Sequence, residues 1–136
     1  MYEISKQFRW EMGHRISQHK GQCFNLHGHS YMAEIYLSAK VLNKEGMVID
    51  FADLGKVMKP LIDCWDHAFM VWYKDDVLVS IFQAHSALGL KTVYVDFEAT
   101  AENMARYIYQ YCRIGSLPVS KVIVWETSKC KAEYSE

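Results

Sequence analysis

The chain has 136 residues, with fifteen Lys and Arg against sixteen Asp and Glu, 51% hydrophobic and 23% charged residues, and a formal net charge of -1. That suits one globular domain spanning residues 1–136 and excludes a disordered chain. The balanced charge provides no one-signed field for nucleic acid or an anionic membrane, and no apolar run approaches the ~20 residues of a transmembrane helix.

Residues 2–12 alternate. Tyr2, Ile4, Phe8, Trp10 and Met12 share one face, which predicts a half-buried strand. Residues 13–29 read as a loop holding three of the glycines and four of the histidines. Residues 31–42 alternate again through Ala33, Ile35, Leu37, Ala39 and Val41, and Asn43 to Gly46 is a turn signal. Asp50 caps a helix starting near Phe51, with Leu54, Val57, Met58, Leu61, Ile62 and Trp65 at helical spacing. Pro60 is expected to kink that helix or end it early.

A second helical pattern runs from about Asp76 to Leu88 and ends at Gly89. Residues 90–97 form a short strand. Thr100 caps a third helix whose buried stripe is Met104, Ile108, Tyr111 and Cys112, stopped by Gly115 and Pro118. Residues 120–128 are the last strand. The strands pair around helices without strict alternation, so the expected class is α+β, an antiparallel sheet with helices packed on one face. Aromatics make up 14% of the chain, more apolar surface than a lone domain of this size readily buries, which points to an oligomer.

Cysteines stand at 23, 64, 112 and 130 without a Cys-x-x-Cys pair, and the start of the chain lacks the apolar core of a signal peptide, so a reduced, cytoplasmic chain is expected. Cys64 and Cys112 fall in helical apolar patterns and read as core.

Three histidines carry the chemistry. His14 follows the first strand, and His27-Gly28-His29 precedes the second. Residues two apart in extended chain point to one side, and Gly28 leaves room for backbone beside an ion. If the strands pair, the three imidazoles meet, and three neutral nitrogens with one open position suit a catalytic zinc site. Cys23 then has two readings, a fourth ligand that closes the site or a free acid–base thiol beside it. His19 and His85 read as ordinary surface or core residues.

Asp66 and His67 are a candidate carboxylate–imidazole pair, against the alternative of an exposed helix end. Glu126 continues the apolar face of Val122 and Val124, and a carboxylate there needs a cationic partner or a ligand with adjacent N–H donors. Glu102, in the first turn of the third helix, favours its dipole.

Taken in order, FRWEMGHRI, Cys-x-x-x-His-Gly-His, MVIDFADL, Asp66-His67, Thr100-Ala-Glu-Asn103 and Trp-Glu-Thr resemble the 6-pyruvoyl-tetrahydropterin synthase / 6-carboxytetrahydropterin synthase family along nearly the whole chain. The three-residue spacer between Cys23 and His27 resembles the bacterial carboxy-tetrahydropterin branch. The resemblance implies the tunnelling fold, with antiparallel sheets assembled through closed barrels into a homohexamer. It implies Zn²⁺ on His14, His27 and His29, and Cys23, Asp66 and His67 as catalytic residues, the last two from a neighbouring subunit. Glu126 would anchor a pterin, with Thr100 and Glu102 beside it. The implied reaction converts 7,8-dihydroneopterin triphosphate to 6-carboxy-5,6,7,8-tetrahydropterin with release of acetaldehyde and triphosphate, a step of queuosine biosynthesis. Pyruvoyl-tetrahydropterin formation, side-chain cleavage and a non-catalytic zinc or pterin module are the alternatives. The chain departs from the family pattern at DHAFMV, at Ala99, and in a longer connection over residues 73–96. Arg15 and Lys20 are candidates for the triphosphate by proximity.

Overall fold

The computed structural model describes all 136 residues. Strand β1 (Tyr2–His14) pairs antiparallel with β2 (His27–Ala39) along its whole length, from Tyr2 opposite Ala39 to His14 opposite His27. Helix α1 (Phe51–Trp65) leads to β3 (Ala68–Trp72), α2 (Asp76–Ala87), β4 (Thr92–Val95), α3 (Ala101–Ile114), β5 (Val119–Trp125) and β6 (Lys131–Tyr134). The six strands form one sheet in the order β4-β3-β1-β2-β5-β6.

The sheet is mixed, which corrects the expectation of a purely antiparallel one. Strand β3 runs parallel to β1 at Met12 and Gly13, and β4 runs parallel to β3. Parallel neighbours need a crossover, and α2 supplies it between β3 and β4. Helix placement differs too. Helices α1 and α3 cover one face over a core that includes Trp10, Tyr31, Ile35, Leu54, Met58, Met70, Met104 and Ile108. Helix α2 packs Leu78 and Phe82 against Val71 and Phe69, which alternate with Met70 and so face the opposite side.

The helix starts follow their caps. The Asp50 carboxylate accepts from Ala52 N at 2.7 Å, and the Thr100 hydroxyl accepts from Asn103 N at 3.3 Å. Helix α1 runs through Pro60 without interruption. The buried Leu61 and Trp65 beyond the proline hold that last turn by packing, which outweighs the missing N–H donor. Cys64, expected in the core, is exposed, because it lies off the buried stripe of Leu54, Met58, Leu61 and Trp65; Cys112 is fully buried as expected. In α3 the buried tyrosine is Tyr109, and Tyr111, expected in the buried stripe, is only half-buried.

Candidate metal centre and active site

The site begins with strand register. His14 lies opposite His27, Met12 opposite His29 and Trp10 opposite Tyr31, and cross-strand partners share a face. His14, His27, His29 and Tyr31 therefore project together at one end of the face that α1 and α3 cover. All three fall in the stretch that reads as loop, but His14 is the last residue of β1, and His27 and His29 are the first and third residues of β2. One ring nitrogen of each of the three imidazoles lies within 4.8 Å of the others.

Gly28 serves a purpose other than the expected approach to an ion. It points away from the imidazoles, and a Cβ there would come within 2.9 Å of the Met12 carbonyl oxygen. Opposite it, a Cβ on Gly13 would strike the Phe69 ring at 2.6 Å. This glycine pair lets β1, β2 and β3 close together at the end that carries the histidines.

The tautomers are set by backbone. Nδ1 of His14 lies 2.7 Å from the Ala99 carbonyl oxygen, and Nδ1 of His27 lies 2.7 Å from that of Asn25. A carbonyl only accepts, so each Nδ1 carries the proton and each Nε2 keeps a bare lone pair. The Nε2 atoms of His14, His27 and His29 are all buried without a hydrogen-bond partner. Three such orphans are expensive unless something electrophilic fills the space between them. Burial lowers the His14 pKa from 6.5 to about 4, against the Ala99 bond, with His27 and His29 adding to the fall. Burial, then the charge of His27, also lowers His29. The neutral form so favoured is the one that ligates metal. The donor set fits Zn²⁺ held by His14, His27 and His29.

Next to the imidazoles, Cys23, Thr100, Glu102 and Glu126 line one cleft of about 420 Å³ together with His19, Cys130 and Lys131. Cys23 is partly exposed in a single 3-10 turn, Gln22–Phe24, within the β1–β2 loop. Glu126 continues the inward face of β5, and no lysine or arginine pairs with it; its ionic neighbour is His14 Nε2 at 3.9 Å. Burial raises the Glu126 pKa, the charge of Glu102 adds to this, and His27 opposes both. Its carboxylate therefore faces the cleft free for a cationic or N–H-donating ligand. The Thr100 hydroxyl accepts the α3 capping bond from Asn103 N at the rim of this cleft.

Asp66 and His67 stand elsewhere. His67 adopts φ 60°, a left-handed conformation that brings adjacent side chains together, with Nδ1 2.9 Å from Asp66 Oδ2. The other Asp66 oxygen accepts from Glu11 N at 2.9 Å, and His67 N donates to Glu11 O at 2.6 Å. The Glu11 amide, then His67, pulls the Asp66 carboxyl below its usual range. His67 lines a second cleft of about 380 Å³ with Glu11, Gly13, Gly28 and Ser30, away from Cys23. The structure thus forms the pair but does not bring it to the thiol within one chain. Arg15 is unavailable to a triphosphate, since Asp75 occupies its guanidinium.

Sequence reading missed Tyr31. Its hydroxyl is buried without a partner, and its ring lies 5.8 Å from that of His14 and 5.4 Å from that of His29. Burial raises its pKa, and the charges of Glu126 and Cys23 raise it further. Its place two residues beyond His29 in the same alternation was the available signal. His19, Cys130 and Lys131 come from distant segments, and no spacing marks them.

The model of the family described as 6-pyruvoyl tetrahydropterin synthase matches residues 3–136. The chain is 37% identical to the 6-carboxy-5,6,7,8-tetrahydropterin synthase of Haemophilus influenzae, with all of both chains covered. It is 32% identical to the enzyme of the same name from Aquifex aeolicus, with 99% of this chain and 98% of that one covered. Among solved structures, a Caenorhabditis elegans 6-pyruvoyl tetrahydropterin synthase superposes with a TM-score of 0.72 at 26% identity, covering 99% of this chain and 95% of that one. An uncharacterised protein of Wolinella succinogenes shares the fold with a TM-score of 0.85 at 24% identity, covering 99% and 98%.

Proposed function

The chain belongs to the 6-pyruvoyl tetrahydropterin synthase family, and from that footing we propose that it is a zinc-dependent 6-carboxy-5,6,7,8-tetrahydropterin synthase. It acts as a lyase on 7,8-dihydroneopterin triphosphate and one water, forming 6-carboxytetrahydropterin and releasing acetaldehyde and triphosphate, in the cytoplasm and on the route to queuosine. The observation that carries the reading is the set of three buried Nε2 atoms without hydrogen-bond partners beside a cleft that holds a free thiol and a carboxylate paired with no lysine or arginine. The names of the two full-length relatives and the three-residue spacer between Cys23 and His27 favour the carboxy branch.

The chemistry divides among the residues. His14, His27 and His29 hold Zn²⁺, which when bound polarises the hydroxyls of the substrate side chain and acidifies its neighbouring C–H bonds. Cys23, as thiolate, takes and returns protons at the side-chain carbons. Glu126 accepts the adjacent N–H donors of the pterin ring and fixes its orientation, with Glu102 and Thr100 on the rim. His67, oriented by Asp66, completes the proton relay from a neighbouring subunit of a homohexamer, which accounts for its distance from Cys23 in the single chain.

The test is incubation of the zinc-loaded protein with 7,8-dihydroneopterin triphosphate and analysis of all products. Acetaldehyde with triphosphate supports the reading. Glycolaldehyde would assign side-chain cleavage instead, and an unaltered pterin with no triphosphate released would defeat lyase activity altogether.

A further inference from the structure

The thiol proposed to move protons sits on a loop, and loops hold catalytic groups less firmly than paired strands do. Here four consecutive residues at the loop base are each fastened. His14 Nδ1 donates to the Ala99 carbonyl at 2.7 Å. Arg15 donates through Nε and Nη2 to both oxygens of Asp75, each at 2.7 Å. Ile16 N donates to the carbonyl of Cys23 itself at 2.8 Å. Ser17 donates from its amide, at 3.3 Å, and from its hydroxyl to Glu98. Three of the four partners lie between residues 75 and 99.

The Arg15–Asp75 pair ties these elements together. Both residues are buried, at 7% and 4% exposure, and a bidentate fork between buried ions fixes orientation as well as distance. Asp75 also caps α2, accepting from Leu78 N at 3.2 Å. The Arg15 guanidinium carbon lies 4.7 Å from the centroid of the Phe24 ring, on the residue next to Cys23. One cation thus touches the N-cap of α2 and the thiol's neighbour.

We propose that the β3–α2–β4 segment is a buttress that sets the position of the Cys23 thiol, with Arg15 and Asp75 as its positioning residues. The proposal rests on the role of Cys23 given above. Neither residue touches substrate; they act through Phe24 and through the Ile16–Cys23 bond. A misplacement of about 1 Å at a reacting group can cost ~10²-fold in rate, which is the sensitivity such a device serves.

The test compares Phe24→Ala and the double variant Arg15→Met/Asp75→Leu with the wild-type protein. Phe24 is 47% exposed, so its removal leaves no lone buried charge, and the double variant replaces both ions with apolar groups so that neither is stranded. The first readout is the iodoacetamide alkylation rate of Cys23, resolved by peptide mass against exposed Cys64 as internal reference. The second is kcat and KM on dihydroneopterin triphosphate, with zinc counted per chain. The expected result for the double variant is a Cys23-to-Cys64 rate ratio changed by ~5-fold or more and kcat down ~10²-fold with KM little moved and zinc retained; Phe24→Ala shifts both in the same direction by less. Folded variants with the wild-type ratio and wild-type kcat would overturn the proposal, as would a loss of kcat explained by lost zinc. If the wild-type protein itself fails to turn over, the lyase reading fails, and the alkylation ratio alone still decides the buttress.

Discussion

The molecule presents two imidazole groups that differ in almost every physical respect. His14, His27 and His29 stand on two fully paired strands, turn their Nε2 atoms into one buried space, and have two of their Nδ1 protons fixed by backbone carbonyls. His67 stands on a turn with positive φ, its side chain is 76% exposed, and its partner is a side chain, Asp66. The first group is held by strand pairing, and burial favours the neutral imidazole at His14 and His29, which suits ligation. The second is oriented but open to solvent, which suits a group that meets its substrate from outside the chain. The proposed relay puts it in a neighbour's active site, and that division can be probed one residue at a time.

The largest effect is expected at the buried group. His27→Ala removes one of three converging nitrogens, and zinc content after dialysis falls from about one per chain to near zero, read by elemental analysis, with the zinc-dependent activity lost alongside. The thiol in the cleft beside the first group comes next. Cys23→Ala keeps zinc and fold but lowers kcat ~10³-fold, within the range of lost acid–base catalysis. His67→Ala keeps zinc and lowers kcat ~10²-fold. Because the relay is proposed to cross subunits, mixed oligomers of Cys23→Ala with His67→Ala regain part of the turnover that each lacks alone. No recovery in demonstrably mixed oligomers would place both groups in one chain's site and erase the contrast drawn above.

Acidity separates the groups without mutation. In the zinc-free protein His14 takes its proton near pH 4 when folded, against an ordinary 6.5 when unfolded, so the unfolded chain holds more protons in that interval. The stability tied to this histidine is complete above about pH 6.5 and falls by about 3 kcal/mol as pH drops through 4. Denaturant midpoints measured across that range check this, and His14→Gln flattens the slope there. The smallest effect is at the rim: Thr100→Ala loses the α3 cap at a cost of about 1 kcal/mol in stability, with zinc content unchanged.

Much of this site was legible in the sequence because β1 and β2 carry their information in register. The alternation of β1 runs on to His14, and pairing of the two strands brings the His-Gly-His beside it. Even so, the start of β2 reads as loop, since Gly28 and polar side chains hide an alternation that His27, His29 and Tyr31 in fact continue. Strand β3 escaped for the opposite reason. Its five residues are sandwiched between helices on both faces, so AFMVW is apolar throughout and shows no period of two. Strand β6 is four residues of alternating exposure at the sheet edge, too short to announce itself. With β3 unseen, the parallel pairings and the placement of α2 on the far face were out of reach. The same gap hid Asp75, whose partner Arg15 lies sixty positions away in the chain.

X-ray absorption at the zinc edge of the metal-loaded protein tests the central claim most directly. Three imidazoles with Cys23 left free predict a first shell of nitrogen and oxygen only, at about 2.0–2.1 Å. A sulfur scatterer at about 2.3 Å would make Cys23 a ligand, close the site, and contradict the account.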